Sequence, residues 1–384
     1  MSTVENKTSR NIYILGFVSL FTDISTQMIY PLMPEFLVSL GASTTIIGVI
    51  EGIAESTASI LRTIFGNLSD KLKKRKLFIF LGYGLSTLSK PFLFFANSWT
   101  TVLVVKFFDR TGKAMRAPSR DALISSSANH KMKGSAFGIH RAMDRTGALL
   151  GPLLALVILH FSSNNLRLVF ILSVIPGIIS VLFIKFAKEA QIESAIDSSR
   201  IKSIKSKPFI MFLTAITVFT LGNSSNVFLI LKAREAGLPL LLIPFIWAVY
   251  NLFCSVTAPM LGSLSDKVGR RPIIIISFLY YALIYFLFGI SASLIMVWIL
   301  FCGYGVYYGL SEGIFRAYIA DLIEPSARAT AYGMFNTAIG LALFPASLIM
   351  GTMWHTFGSK YAFLLCSIFS LLGFLIFLFS SQKD

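Results

Sequence analysis

Gly66-Asn67-Leu68-Ser69-Asp70-Lys71 runs into the basic string Lys73-Lys74-Arg75-Lys76, and 196 residues later Gly262-Ser263-Leu264-Ser265-Asp266-Lys267 runs into Gly269-Arg270-Arg271. The two copies stand about half a chain apart, and each lies between two long apolar segments. A phrase repeated at that distance marks an internal duplication. Apolar flanks on both sides place the duplication in a polytopic membrane protein of two similar halves.

Composition supports the same class. The 384 residues are 55% hydrophobic and 14% charged, with 35 Phe, and the mean hydropathy is +0.74. Such a chain lacks the polar surface of a water-soluble globule. Apolar stretches long enough for a hydrocarbon core of about 30 Å recur from end to end. Twelve are expected as helices 1 to 12: 11–38, 44–65, 77–97, 99–127, 133–160, 165–187, 207–232, 238–261, 272–290, 293–322, 329–357 and 360–380. They are uniformly apolar or helically patterned, unlike the alternating strands of about ten residues in outer-membrane barrels. Met1 to Arg10 is short and charged with no cleavable small-residue site after it, so helix 1 reads as an uncleaved span.

The net charge of +16 does not point to nucleic acid, because of where it sits. With alternating helices, twenty Lys and Arg fall on one side, and only Arg167, Lys232, Arg234 and Lys360 fall on the other. That asymmetry puts both termini in the cytoplasm and suits contact with anionic membrane lipids. The three cysteines, Cys254, Cys302 and Cys366, lie singly in apolar helices and read as small core residues.

The longest polar stretch, 188–206, divides the helices six and six. It reads as a flexible cytoplasmic linker between an N-terminal bundle, 1–187, and a C-terminal bundle, 207–384. The halves match beyond the repeated phrase. Arg116-Ala117 and Asp121 recur as Arg316-Ala317 and Asp321, and Ala136-Phe137-Gly138 recurs as Ala331-Tyr332-Gly333. Asp23 aligns with Asn223 and Glu55 with Asn251. Ionisable positions are thus neutralised in the second half, and the chemistry is expected mainly in 1–187.

Six plus six helices, with Gly-x-Leu-x-Asp-Lys and basic residues after helices 2 and 8, resemble the major facilitator superfamily along essentially the whole chain. Phe108 to Leu123, together with Gly138-Ile139-His140-Arg141-Ala142-Met143-Asp144, resembles a bacterial subgroup described as efflux pumps for drugs, metals or siderophores. The resemblance implies an all-α fold of two six-helix bundles that rock around a central cavity lined by helices 1, 4, 7 and 10. It also implies a conformational latch at Gly66, Asp70 and Arg75 and at Gly262, Asp266 and Arg270. A plain turn with a topogenic basic cluster is the alternative there. Gly147-x-x-x-Gly151-Pro152 resembles the superfamily's antiporter motif, although Leu154 and Ala155 stand where further glycines are usual. Gly-x-x-x-Gly also serves plain helix packing. Lys106 occupies a helix 4 position where the superfamily often has an arginine.

Charges at membrane depth are costly and need a partner, a cavity or a task. Helix 1 carries Asp23 and Gln27 four apart, with Tyr30 a turn on; helix 2 carries Glu51, Glu55 and Arg62 on one face. Helix 4 carries Lys106, Asp109, Lys113, Arg116 and Arg120 as one stripe, with Arg110 beside it, and helix 3 adds Lys90. Helix 5 carries His140 and Asp144 beside Arg141 and Arg145; helix 10 carries Glu312 and Arg316. Low dielectric favours the neutral form of a carboxylate, and an adjacent cation favours the charged form. Moving one partner therefore switches proton affinity. Asp23, Glu51, Glu55, Asp109, Asp144 and Glu312 are the expected proton-coupling groups. Gln27, Tyr30, Lys106, Arg110, His140, Arg141, Asn223, Asn251 and Arg316 are expected to line the substrate cavity. A static salt-bridge network that holds the bundle is the other reading of the same residues.

The expectation is a proton-coupled exporter of a small amphipathic or anionic organic solute, such as a drug-like compound or a siderophore. The protein is expected in the bacterial inner membrane as a multi-pass monomer. An importer of the same fold, taking up a small solute or metal chelate, is the alternative. No cofactor is expected. No Gly-x-x-x-x-Gly-Lys-Ser/Thr, Gly-x-Ser-x-Gly or His-Glu-x-x-His occurs, and the scattered histidines offer no dedicated metal cage.

Overall fold

A computed structural model describes residues 2–128, 133–189, 206–324 and 327–379. These residues form helices and no strand. Eleven helices are long and apolar enough to cross a membrane, from Arg10–Ser39 to Ser359–Leu378. Twelve apolar spans were expected; the one that departs is helix 4, Trp99–Ser127. It is 29 residues long, which at 1.5 Å per residue is about 43 Å and ample for a crossing. Its seven charged side chains, from Lys106 to Asp121, take it out of the apolar class.

Local chemistry sets the helix ends. The Ser98 hydroxyl accepts the Thr101 amide and opens helix 4; Asn165 caps Leu166–Leu172 by accepting the Leu168 amide at 3.1 Å. Ser206 opens Lys207–Gly222 in the same way, with Pro208 in the first turn. After the second copy of the repeated phrase the chain turns at Gly269, with φ of +96°, into Arg270–Ile290. After the first copy the left-handed residue is Lys73, with φ of +54°, between Thr44–Leu72 and Arg75–Ser89.

The chain divides into two compact units. The first comprises Met1–Gly41 and Thr57–Asp197, the second Ala42–Ser56 and Ser198–Asp384. Helix 2 is therefore shared, and its opening, with Glu51 and Glu55, packs in the second unit. The expected linker, 188–206, lies outside the described residues except for Lys188, Glu189 and Ser206.

Small residues let the helices approach. In the first unit a Cβ added to Gly112 would stand 2.5 Å from the Gly82 carbonyl oxygen, so helices 3 and 4 cross at a glycine pair. Gly147 and Gly151 press helix 5 against the helix 1 backbone at Leu20 and Ile24. Helix 6 meets helix 1 through Thr22 and Ser180 hydroxyls 2.6 Å apart, and through Ser25, which donates to the Ser173 carbonyl. In the second unit the Thr44 hydroxyl donates to the Gly351 carbonyl at 3.0 Å and the Ser56 hydroxyl to the Gly340 carbonyl at 2.8 Å. Helix 12 closes on helix 7 at Gly222 and Gly373, and on helix 9 through Ser367 and Ser370. Tyr281, Tyr285, Tyr304 and a group of phenylalanines fill that interior.

Helix 7 differs from its expected form. It was read as one segment, 207–232, but it is broken into Lys207–Gly222 and Val227–Glu235. Asn223 to Ser225 have no regular structure. Four short polar side chains compete with the backbone for hydrogen bonds there. Helix 1, its counterpart, stays helical past Asp23 to Ile29 and only then tightens into a short 3-10 turn at Tyr30–Leu32.

Candidate functional site

The helix 4 stripe turns inward in the first unit. Lys106, Arg110 and Arg116 are buried, Asp109 is half-buried, and Lys90 reaches them from the end of helix 3 and is itself buried. Lys90 donates to the Ser25 hydroxyl at 2.6 Å and the Thr26 hydroxyl at 3.1 Å on helix 1. Ser86 donates to the Asp109 carboxylate, and Arg110, Lys90 and Arg116 are its charged neighbours. Arg116 lies over the Tyr83 ring, 4.6 Å from its centroid, a cation–π arrangement that stabilises a desolvated guanidinium.

Several of these side chains line a pocket. Tyr30, Lys106, Asp109 and Arg110 line it, as does Lys90, with Ile29, Met33, Leu93 and Val105 supplying apolar wall. Four residues singled out from spacing thus come together. Lys90 had been noted as a charge but not as a cavity residue, because its spacing within helix 3 says nothing about which helix it faces.

A second ionic group sits nearer the start of helix 1. Asp23 has Asp144, Arg116, Arg120 and Lys113 as charged neighbours. Asp144 lies 3.6 Å from the His140 ring nitrogen Nδ1, and His140 is buried. Arg120 holds Asp121 at 3.0 Å and donates to the Ser19 hydroxyl at 3.1 Å. Gly147 and Gly151 touch helix 1 beside Asp23 and Gln27, so this motif sets how closely helix 5 brings Asp144 to Asp23. Arg141 is exposed on helix 5.

Glu51 is fully buried, and its carboxylate accepts the Ser225 hydroxyl at 3.1 Å. It therefore belongs with the helix 7 break, not with the helix 4 stripe. Asn223 lies near the Tyr281 hydroxyl, which donates to the Gly222 carbonyl at 2.8 Å. The Ser225 amide points to the Ser347 hydroxyl. Non-helical backbone at membrane depth persists only where such partners or a watery cavity satisfy it. Asn251 is buried and its amide returns to the Trp247 carbonyl of its own helix. Glu312 and Arg316 are exposed on helix 10. Among the described residues no three His, Cys, Asp or Glu side chains cluster as metal ligands.

At the repeated phrases, Arg75 meets Asp70 at 3.3 Å and reaches the Ala122 carbonyl of helix 4. Arg270 meets Asp266 at 2.8 Å and Asp321 at 2.5 Å. Gly66 faces Pro118 of helix 4, whereas Gly262 faces open space.

The family model described as Major Facilitator Superfamily matches residues 15–347 and 245–384. An uncharacterized MFS-type transporter of Methanocaldococcus jannaschii is 34% identical, over 98% of this chain and 96% of that protein. The multi-drug resistance efflux pump PmrA of Streptococcus pneumoniae is 25% identical, over 79% of this chain and 78% of its own. A POT family transporter, solved with a thioalcohol-conjugated peptide, shares the fold with a TM-score of 0.81 at 13% identity, covering 96% of this chain and 95% of its own.

Proposed function

The chain belongs to the Major Facilitator Superfamily of membrane transporters, and we propose that it couples protons to the export of a small amphipathic or anionic organic solute. Alternating access of two bundles is the mode of transport in this reading, with the bacterial inner membrane as its location. The observation that carries it is the first unit's pocket, where Lys90, Lys106 and Arg110 face a cavity with a single carboxylate, Asp109. Three cations to one carboxylate favour an anionic group on the solute, and the apolar wall favours an amphipathic body.

Proton coupling rests on the company the carboxylates keep. Asp109 and Asp23 each sit among several cations and, for Asp23, beside a second carboxylate. A helix shift that changes those distances changes proton affinity. The Asp70–Arg75 and Asp266–Arg270 pairs serve as latches that favour one conformation. Helix-end and ion-pair contacts of about 0.3–2 kcal/mol are enough to bias a two-state equilibrium. The pneumococcal relative named as an efflux pump supports the outward direction.

Inverted membrane vesicles with an imposed pH gradient, inside acidic, test this. Solute accumulation that collapses with the gradient is the expected result. Accumulation that survives dissipation of the gradient removes proton coupling, and accumulation only in right-side-out vesicles reverses the direction.

A further inference from the structure

Lys90 sits where helix 3 is interrupted. Pro91 follows it, and a proline has no N–H to continue the helical ladder, so Arg75–Ser89 ends there and the short Pro91–Phe94 begins. Lys90 is 3% exposed. Its ammonium donates to the Ser25 hydroxyl at 2.6 Å and to the Thr26 hydroxyl at 3.1 Å. Ser25 donates its own O–H to the Ser173 carbonyl at 2.5 Å, at the joint between Leu166–Leu172 and Val174–Phe183 in helix 6. The lone pairs of Ser25 are thereby left for Lys90. Gly177 completes this seat. A Cβ there would stand 2.9 Å from the Thr87 side chain and 3.2 Å from the Ser25 hydroxyl oxygen, so glycine lets helices 1, 3 and 6 close around the lysine.

A seat of that kind fixes a cation without neutralising it. An ammonium has three N–H groups, and here two of them meet uncharged hydroxyls. The third is left for the pocket, whose wall Lys90 forms together with Ile29, Met33, Leu93 and Val105. Asp109 borders the same pocket and accepts the Ser86 hydroxyl. Ser86 precedes Lys90 by four residues, so the two lie on one face of helix 3. Helix 3 thus steadies the pocket's carboxylate, while helix 1 steadies the lysine. A buried ion is costly unless an opposite charge and hydrogen bonds offset the loss of water. An incoming carboxylate supplies both at the third N–H, through a charge-assisted bond stronger than a neutral one.

We propose that Lys90 is the residue that reads the solute's charge: it binds the carboxylate of an amphipathic organic acid. This rests on the pocket being the solute site. It deepens that reading by assigning the anionic subsite to one side chain and by naming the solute class.

Equilibrium binding of hydrocinnamate and of hydrocinnamyl alcohol to the purified full chain, each radiolabelled in turn, tests it. The two probes share a shape and differ in charge. Saturable binding of the acid, at least about tenfold tighter than the alcohol, is expected. Lys90→Met keeps the length of the stem and removes the charge. It is expected to weaken the acid at least about tenfold and to leave the alcohol within about twofold. Lys90→Arg, which keeps the charge, retains a preference for the acid. Undiminished selectivity in Lys90→Met overturns the assignment. So does an equal loss for acid and alcohol, which is the result a purely structural pin between helices 1, 3 and 6 would give. Should Lys90→Met fail to fold, the wild-type chain decides. The N-hydroxysuccinimide ester of hydrocinnamic acid acylates an amine that its carbonyl reaches, releasing N-hydroxysuccinimide, and peptide mass spectrometry identifies the modified lysine. Labelling of Lys90 that free hydrocinnamate suppresses supports the assignment; its absence overturns it. If acid selectivity in the wild type survives in Lys90→Met, only this inference falls. If the wild type shows no preference for the acid, the anionic-solute reading falls with it.

Discussion

The two units carry the same phrase at the tip of their second helix but fill their interiors with opposite chemistry. The first unit buries Lys90, Lys106, Arg110, Arg116 and His140 around helix 4. The second buries Tyr281, Tyr285, Tyr304 and Tyr307 in the corresponding space and breaks helix 7 where helix 1 runs on. A scaffold can be copied because helix crossings depend on small residues at fixed spacing, which tolerate any chemistry one turn away. The interior is then free to diverge. One half becomes an ionic site whose energetics depend on protonation. The other becomes an aromatic one whose polar groups satisfy an irregular backbone.

That contrast can be broken first at the crossings, where the halves should behave alike. Gly112→Val drives a side chain into the Gly82 carbonyl, and Gly222→Val into the Cys366 carbonyl. Each is expected to cost more than the roughly 1–3 kcal/mol of ordinary overpacking, since backbone has to move. Thermal melting of the purified variants should show both losing cooperative unfolding; a normal melt for either would mean that its crossing is loose.

The next largest effect should divide the halves. Asp23→Asn removes a carboxylate from a cluster with Asp144 and three cations, and gradient-driven accumulation is expected to fall at least about 100-fold while counterflow exchange survives. Asn223→Ala, at the aligned position, is expected to raise KM several-fold with little change in maximal rate. Equal coupling defects in the two variants would erase the distinction between an ionic and an aromatic half.

Smaller effects are expected at the tips. Arg270 holds two carboxylates and Arg75 one. At about 0.2–1 kcal/mol for each exposed pair, Arg270→Gln should shift the conformational equilibrium by a few-fold and Arg75→Gln by less. Cysteine accessibility on the two membrane faces measures that shift, and a larger effect at Arg75 would contradict the ranking. The smallest change belongs to Gly262→Ala. Its Cβ meets nothing, and stability should stay within about 0.5 kcal/mol of wild type.

Much of this was legible beforehand. An all-helical chain of long apolar spans, the stripe on helix 4 and the His140–Asp144 pair all follow from residue spacing. Two features were not. Helix 7 was read through its break, although Gly222-Asn223-Ser224-Ser225-Asn226 is turn chemistry; long apolar flanks masked a short polar run. Glu51 was read on a helix 2 face with Glu55 and Arg62, and its spacing there gave no sign that it accepts the Ser225 hydroxyl of the helix 7 break.

Sequence alone therefore determined that this chain is an all-helical membrane protein with costly charges concentrated in its first half. Periodicity and composition carry that information because each helix closes its own backbone hydrogen bonds and exposes its stripe independently. Tertiary structure alone decided which charges share a pocket, that Lys90 joins them, and that Glu51 serves the broken helix. Those outcomes depend on rotation and contact between helices, set by glycine crossings and hydroxyl pairs, and spacing within a single helix holds no record of the helix it will face.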